Sequence, residues 1–148
     1  MTMRRIPSIL IGMLGVLLCA CLLEAAAESE FKVIVNESNP TDSLDKDKIS
    51  RLFLKKETKW EGGQQVLPVD QSEGSKVREA FTKEVHNKKV SAVNSYWQQM
   101  IFTGRAVPPP KKGSDEEVVE YVKSHPGAIG YVSSSASTEE VKVLKVKE

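Results

Sequence analysis

The stretch Val66–Phe81, VLPVDQSEGSKVREAF, contains the residues best suited to bind a ligand. It begins with a short apolar run typical of a strand, continues through turn-forming residues at Asp70–Ser75, and then shows apolar residues at helical spacing. The first turn of a helix has unpaired N–H groups and the positive end of the helix dipole. The loop Ser72–Val77 is therefore predicted to suit an anion.

The residue types around this helix start fit the same chemistry. Gly74 and Ser75 offer a backbone turn and a hydroxyl group, and Lys76 and Arg78 place positive charge in the first helical turn. We predict that a bound anion contacts the hydroxyl and N–H of Ser75 and is neutralised by the two basic side chains. The alternative is that these side chains form only a solvated helix face, because most helix starts bind nothing but water or their own cap.

Other residue patterns do not predict catalysis. His86 and His125 are the only histidines, and neither lies in a metal-binding, nucleophile or phosphate-loop motif. We therefore expect a binding protein rather than an enzyme, with no metal and no cofactor.

The N-terminal residues predict export. Arg4 and Arg5 form a basic start, Ile9–Leu23 is an apolar run too short for a comfortable membrane span, and Ala25–Ala27 offers a small-residue cleavage pattern. These features indicate a secretory signal peptide over residues 1–27.

Two alternatives to simple cleavage stay open. Leu18-Cys19-Ala20-Cys21 loosely resembles a bacterial lipobox, in which Cys21 would become the lipidated first residue. The segment could also remain as an uncleaved anchor. We favour cleavage after Ala27, which gives a periplasmic or secreted protein.

The remainder, residues 28–148, is predicted to be one domain that depends on its own core. It has no cysteine, and so neither disulfides nor a cysteine metal site. The signal peptide carries two of the 21 Lys and Arg residues and one of the 20 Asp and Glu residues, which leaves 19 of each and a formal charge of zero. This balance argues against nucleic acid as a partner.

The strands and helices predicted along the chain must position the helix start at Ser75. Strands are predicted at Phe31–Val35, Val66–Val69, Ala128–Val132 and Val141–Val146, and helices from the N-cap Asp45 to about Lys56, from Ser75, from Val90 to Gly104 and from Ser114 to Pro126. This alternation predicts a three-layer α/β/α domain with a mixed sheet. In the helix from Val90, the residues predicted to face the core are Val93, Tyr96, Trp97, Met100 and Ile101.

Three segments carry motifs of a known family. Ile49–Trp60 is similar to the pattern I-F-x-G-K-x-x-x-W, with Lys55 where glycine is usual. Leu67–Val69 and Phe81 flank the family's anion loop, and Pro126–Val132 matches its closing P-G-A-I-G-Y-V strand. Together they resemble the phosphate ABC transporter substrate-binding proteins, and more closely the short exported proteins usually named after them.

The resemblance implies the fold of one lobe of a type II periplasmic binding protein, a PBP-like domain. In the full family an oxyanion is gripped between two lobes, by an arginine after the strand and a Gly-Ser-Gly-Thr turn. This chain has Asp70 where that arginine is expected, and it keeps Gly74 and Ser75 at the helix start. An aspartate repels an anion, whereas arginine offers it a fork of donors.

Two functions follow from the resemblance. The first is an exported solute-binding protein for phosphate or a related oxyanion, which works with an ABC permease. The second is an accessory or adaptor that acts through self-association or contact with an envelope protein and binds no ligand tightly. The Gly74-Ser75 helix start favours the first function, whereas Asp70 and the single lobe favour the second.

Overall fold

The structure, a computed structural model, describes residues 29–148, which form a five-stranded sheet, a two-stranded ribbon and four helices. The strands are β1 Phe31–Val35, β2 Ser43–Asp45, β3 Leu67–Pro68, β4 Asp70–Gln71, β5 Lys111–Lys112, β6 Ala128–Ser133 and β7 Lys142–Lys147. The helices are α1 Lys46–Phe53, α2 Lys76–Val85, α3 Val90–Phe102 and α4 Asp115–Ser124. The predicted signal peptide lies outside the described residues.

Strand β1 lies at the centre of the sheet, whose order is β2-β7-β1-β6-β3. It pairs antiparallel with β6 and with β7, so that Val33 lies opposite both Tyr131 and Leu144. The outer strands β2 and β3 run parallel to β7 and β6. The predicted mixed sheet is therefore confirmed.

The strand that leads to the predicted site lies at an edge of the sheet. Only the two residues of β3 pair with β6, and the two residues of β4 pair instead with β5. Pro68 has no N–H group to donate, and an edge strand tolerates this loss. The strand predicted over Val66–Val69 therefore gives way to two short strands, and the chain leaves the main sheet at Asp70.

Helices cover both faces of the sheet, which confirms the three predicted layers. On one face, α1 and α2 pack over a core in which Phe81 stacks on Tyr131 with ring centroids 3.9 Å apart. On the other face, α4 contributes Val118 and Val122 to a second core. Every helix within residues 29–148 is too short or too polar to cross a lipid bilayer.

Helix α3 lies outside these layers and packs against α2 and the end of α1. Four of its five predicted core residues join a small cluster around Leu54. Ile101 is 55% exposed, so its assignment to the core is wrong. The cluster reaches only as far as Met100 along α3, and the last turn of the helix projects beyond it.

Helix α1 ends at Phe53, three residues before its predicted end. The hydrogen bonds of the following turn explain why it ends there. The N–H of Lys56 donates to the carbonyl of Arg51, and the N–H of Lys55 donates to that of Leu52. This pair of hydrogen bonds is a Schellman motif, which requires a left-handed residue. Lys55 takes that conformation with a φ of 55°, at the position where the family motif has glycine.

Lys55→Gly is expected to raise the free energy of unfolding by about 1 kcal/mol, because glycine adopts positive φ without a steric penalty. Thermal or urea unfolding of both proteins measures the difference. Lys56→Gly is the matched control and should stabilise nothing, because Lys56 is not among the residues with positive φ. Equal effects of the two changes would contradict the assignment of strain to Lys55.

The first and last family motifs meet in the fold. The indole N–H of Trp60 donates a hydrogen bond of 2.9 Å to the carbonyl of Gly127. Gly127 has a φ of 87°, and a Cβ atom at this position would collide with the carbonyl of Gln65. Glycine is therefore required where these two segments touch.

Candidate anion-binding site

The predicted site lies where the chain passes from β4 into α2. Gly74 has a φ of 83° and turns the chain towards the helix. Ser75 is the N-cap, since its Oγ accepts a hydrogen bond of 3.2 Å from the N–H of Arg78. The predicted helix start is confirmed, and it places Lys76 and Val77 in the first turn, where N–H groups have no acceptor within a helix.

The hydroxyl group of Ser75 is already used within the protein. It donates a hydrogen bond of 2.9 Å to Oε1 of Gln71. The amide of Gln71 is buried and donates to Asp115 at 2.9 Å and to the carbonyl of Tyr131 at 3.0 Å. The N–H of Ser75 is also used, since it donates to the carbonyl of Ser72 at 3.3 Å. An anion would therefore find the first-turn N–H groups of Lys76 and Val77 more accessible than either donor of Ser75.

The side chain of Arg78 is only 1% exposed, so it does not form a solvated helix face. Its Nε lies 3.6 Å from Oδ1 of Asp70, and its Nη2 donates to Oδ1 of Asn94 at 3.0 Å. A buried guanidinium requires such partners, because leaving it unpaired costs several kcal/mol. The fold therefore holds Arg78 behind the helix start rather than on its surface.

Asp70 is the internal anion of this site. Its carboxylate accepts hydrogen bonds from the hydroxyl of Tyr131 and from the N–H of Gln71, and it pairs with Arg78. Burial first, and then the charge of Asp70, raise the pKa of Tyr131 above its ordinary value, so this hydroxyl keeps its proton. Asp70 thus neutralises Arg78, one of the two basic residues that were predicted to bind an external anion.

One donor of Arg78 remains unsatisfied. Its Nη1 is buried and has no hydrogen-bond partner among residues 29–148. Around it, Asn94 donates to Glu73 at 3.4 Å, and Glu73 pairs with Lys111 at 3.3 Å. Sequence reasoning missed these residues, because Asn94 and Lys111 reach the site only through the packing of α3 and β5.

Of the five predicted site residues, the fold brings Asp70, Ser75 and Arg78 together and leaves Gly74 and Lys76 exposed on the surface. Lys76 is therefore the predicted cation that meets solvent directly. The arrangement can attract a small anion through the helix start and one ammonium group.

His86, which packs beside the main core, does not belong to this site. Its Nδ1 lies 2.7 Å from Oγ of Ser50, and its ring packs edge-on against Phe81. Burial first, and then the charges of Lys88 and Lys56, lower its pKa from 6.5 to about 4. Within residues 29–148, no three His, Cys, Asp or Glu side chains are placed to hold a metal ion.

Solved structures with this fold include several phosphate transport proteins. A protein described as a phosphate ABC transporter substrate-binding protein, from Clostridium perfringens and with bound phosphate, is 22% identical, with a TM-score of 0.65 over 79% of this chain and 44% of that one. An ABC-type phosphate transport receptor from Vibrio cholerae is 17% identical, with a TM-score of 0.63 over 79% and 46%. PstS from Borrelia burgdorferi is 14% identical, with a TM-score of 0.64 over 80% and 47%.

These likenesses establish the fold. The chain spans less than half the length of these three proteins, in agreement with the short form that the sequence predicts. No curated protein matches it. The sequence profile of the PBP superfamily domain matches residues 25–147, so the chain belongs to the PBP superfamily.

Proposed function

We propose that this protein is an exported solute-binding domain that binds phosphate or a related oxyanion at the start of α2 and works with a phosphate ABC transporter. The observation that carries the proposal is the start of α2, where the N-cap Ser75 is followed by the first-turn N–H groups and by the exposed Lys76. It is supported by the solved structure of similar fold from Clostridium perfringens that contains phosphate.

The charge balance of the site sets the expected affinity. Asp70 compensates Arg78, so Lys76 and the helix dipole provide the attraction, which the exposed Glu79 at the same end of the helix reduces. Solvent and salt screen an exposed ammonium group. We therefore expect a dissociation constant on the order of millimolar, in keeping with a site open to water.

Phosphate titration of the processed protein, followed by amide NMR, is expected to shift the resonances of Ser75–Arg78 first. Lys76→Gln should weaken phosphate binding by about fivefold, because it removes an exposed charge beside the anion. Lys83→Gln is the matched control, since Lys83 is an exposed lysine at the other end of the same helix. Shifts centred elsewhere, or equal effects of both substitutions, would contradict this site.

A second function is favoured by one specific observation. The Asp70–Arg78 pair makes the buried part of the site electrically complete without a ligand. The protein would then act as an accessory or adaptor through self-association or an envelope partner. Absence of saturable phosphate binding, together with concentration-dependent sedimentation of the processed protein, would establish this function over the first.

Export requires processing of the N-terminal segment. Intact-mass analysis of the product recovered from the bacterial envelope is expected to find Glu28 as the first residue, because cleavage follows Ala25–Ala27. A product with lipid at Cys21 would establish the lipoprotein alternative instead. A product that retains Met1 would contradict processing.

A further inference from the structure

The end of α3 and the loop after it expose three large apolar side chains. Phe102 is 93% exposed, Val107 is 66% exposed and Ile101 is 55% exposed. We refer to these three residues as the α3 tip. Such exposure is unusual for residues of this size, because each leaves apolar area in water that burial would stabilise.

A single turn of the chain at the end of α3 separates the helical residues of the α3 tip from Val107. Beyond the last turn of the helix, the N–H of Arg105 donates to the carbonyl of Met100 at 3.0 Å, so the loop turns back beside the helix. Ala106 then packs against the cluster around Leu54 and fixes the loop there. The exposed apolar residues Ile101 and Phe102 therefore lie on one side of this single turn and Val107 lies on the other.

The sequence around the α3 tip is basic. Between Glu84 and Asp115 the chain has five Lys or Arg residues and no acidic residue, although Lys88 and Lys89 precede the other end of α3 and Lys111 pairs with Glu73. Arg105, within the tip's own turn, is exposed. On the neighbouring end of α1, the Nζ of Lys56 lies 5.8 Å from the centre of the Tyr96 ring, one helical turn before the tip.

The nearest acidic side chain on that end of α1 is already compensated. Glu57 pairs with both Lys48 and Arg51. Helix α3 itself contains no charged residue, so little charge must be desolvated when its end approaches an apolar phase. The local charge thus differs from that of residues 28–148, whose acidic and basic residues balance.

We propose that the α3 tip docks this protein on the surface of an anionic phospholipid membrane. Phe102, Ile101 and Val107 enter the boundary between headgroups and acyl chains, and Arg105 and Lys56 face the lipid phosphates. This contact is peripheral, and it is separate from the anion site at the start of α2, so it goes beyond the proposed function.

The size of the α3 tip favours lipid over a protein partner. A stable protein interface buries on the order of 800 Å² on each partner and requires complementary shape. Three side chains provide much less than this area. A fluid membrane requires no complementary shape, and an aromatic and two aliphatic side chains with neighbouring cations are the residue types that bind its interface.

The test uses the processed protein, after cooperative thermal unfolding has verified its folding. Flotation with vesicles of phosphatidylcholine and phosphatidylglycerol in a 3:1 ratio (about 25% anionic lipid) should recover the protein, and pure phosphatidylcholine vesicles should recover much less. The double variant Ile101→Ser/Phe102→Ser should lower partitioning by about tenfold or more. Arg105→Gln should lower it by about fivefold, with a weaker dependence on salt.

Val143→Ser is the matched control, because Val143 is also a large exposed apolar residue, at 44%, but lies on β7. It should bind vesicles as the unchanged protein does. A local readout comes from Phe102→Trp, since Trp60 and Trp97 are buried. On anionic vesicles the emission of the new tryptophan should shift to shorter wavelength and be quenched by brominated lipid.

Three results would overturn the proposal. The first is no recovery with anionic vesicles at low salt, and the second is a Phe102→Trp emission that the vesicles do not change. The third is a protein that sediments as a dimer, becomes monomeric in the Ile101→Ser/Phe102→Ser variant and binds vesicles no better than that variant, which would assign the α3 tip to a second copy of this chain.

Discussion

Arg78→Met is expected to lower the free energy of unfolding by about 3 kcal/mol, the cost of removing one partner from a buried ion pair. Methionine fills a similar volume, so the loss comes mainly from Asp70, whose carboxylate would keep only its hydrogen bonds to Tyr131 and Gln71. Urea unfolding at neutral pH measures the difference.

Two further variants separate this electrostatic effect from packing. Lys76→Met is the matched control, two residues away on the exposed surface, and should change stability by no more than about 0.5 kcal/mol. Adding Asp70→Asn to Arg78→Met should recover part of the loss, because the uncompensated charge is then removed. If the double variant is no more stable than Arg78→Met alone, the pair contributes through packing rather than charge.

The protein is also expected to lose stability between pH 6.5 and pH 4 because of His86. Its pKa is lowered from 6.5 to about 4 in the folded protein, mainly by burial. The unfolded chain binds a proton at this position throughout that interval, whereas the folded protein does not, so lower pH favours unfolding. The shift amounts to about 3 kcal/mol, lost progressively as the pH falls and complete below about pH 4.

Substitution isolates this contribution from the carboxylates that also titrate in acid. His86→Gln should remove the loss that His86 contributes between pH 6.5 and pH 4, whatever its effect on stability at neutral pH. His125→Gln, at the only other histidine and on the surface, is the matched control. Parallel profiles for the unchanged protein and His86→Gln would show that His86 titrates normally in the folded state.

Local signals predicted three helix starts well, because N-caps depend on neighbours in the chain. Asp45, Ser75 and Ser114 each cap a helix as expected, by accepting a hydrogen bond from the N–H three residues later. Ser114 and Glu117 have the spacing of a capping box, in which Glu117 would accept from the N–H of the cap residue. Glu117 instead accepts from the N–H of Gly113, so the box is only partly formed.

The chemistry of the candidate site was not predictable in the same way. Arg78 and Asp70 meet because β4 leaves the main sheet and pairs with β5, whose residues lie 41 positions further along the chain. Asn94 reaches Arg78 only because α3 packs on α2. The sequence alone shows that Arg78 is charged. Its burial and its contact with Asn94 depend on elements that are distant in the sequence and pack together only in the fold.

The hydrogen bond between Trp60 and Gly127 indicates that the family motifs in this chain are structural. It joins the first and last of the three family motifs, and both residues lie outside the stretch 70–78 that forms the candidate site. A match to these motifs therefore reports the scaffold, and a ligand must be assigned from residues 70–78 and from direct binding measurements.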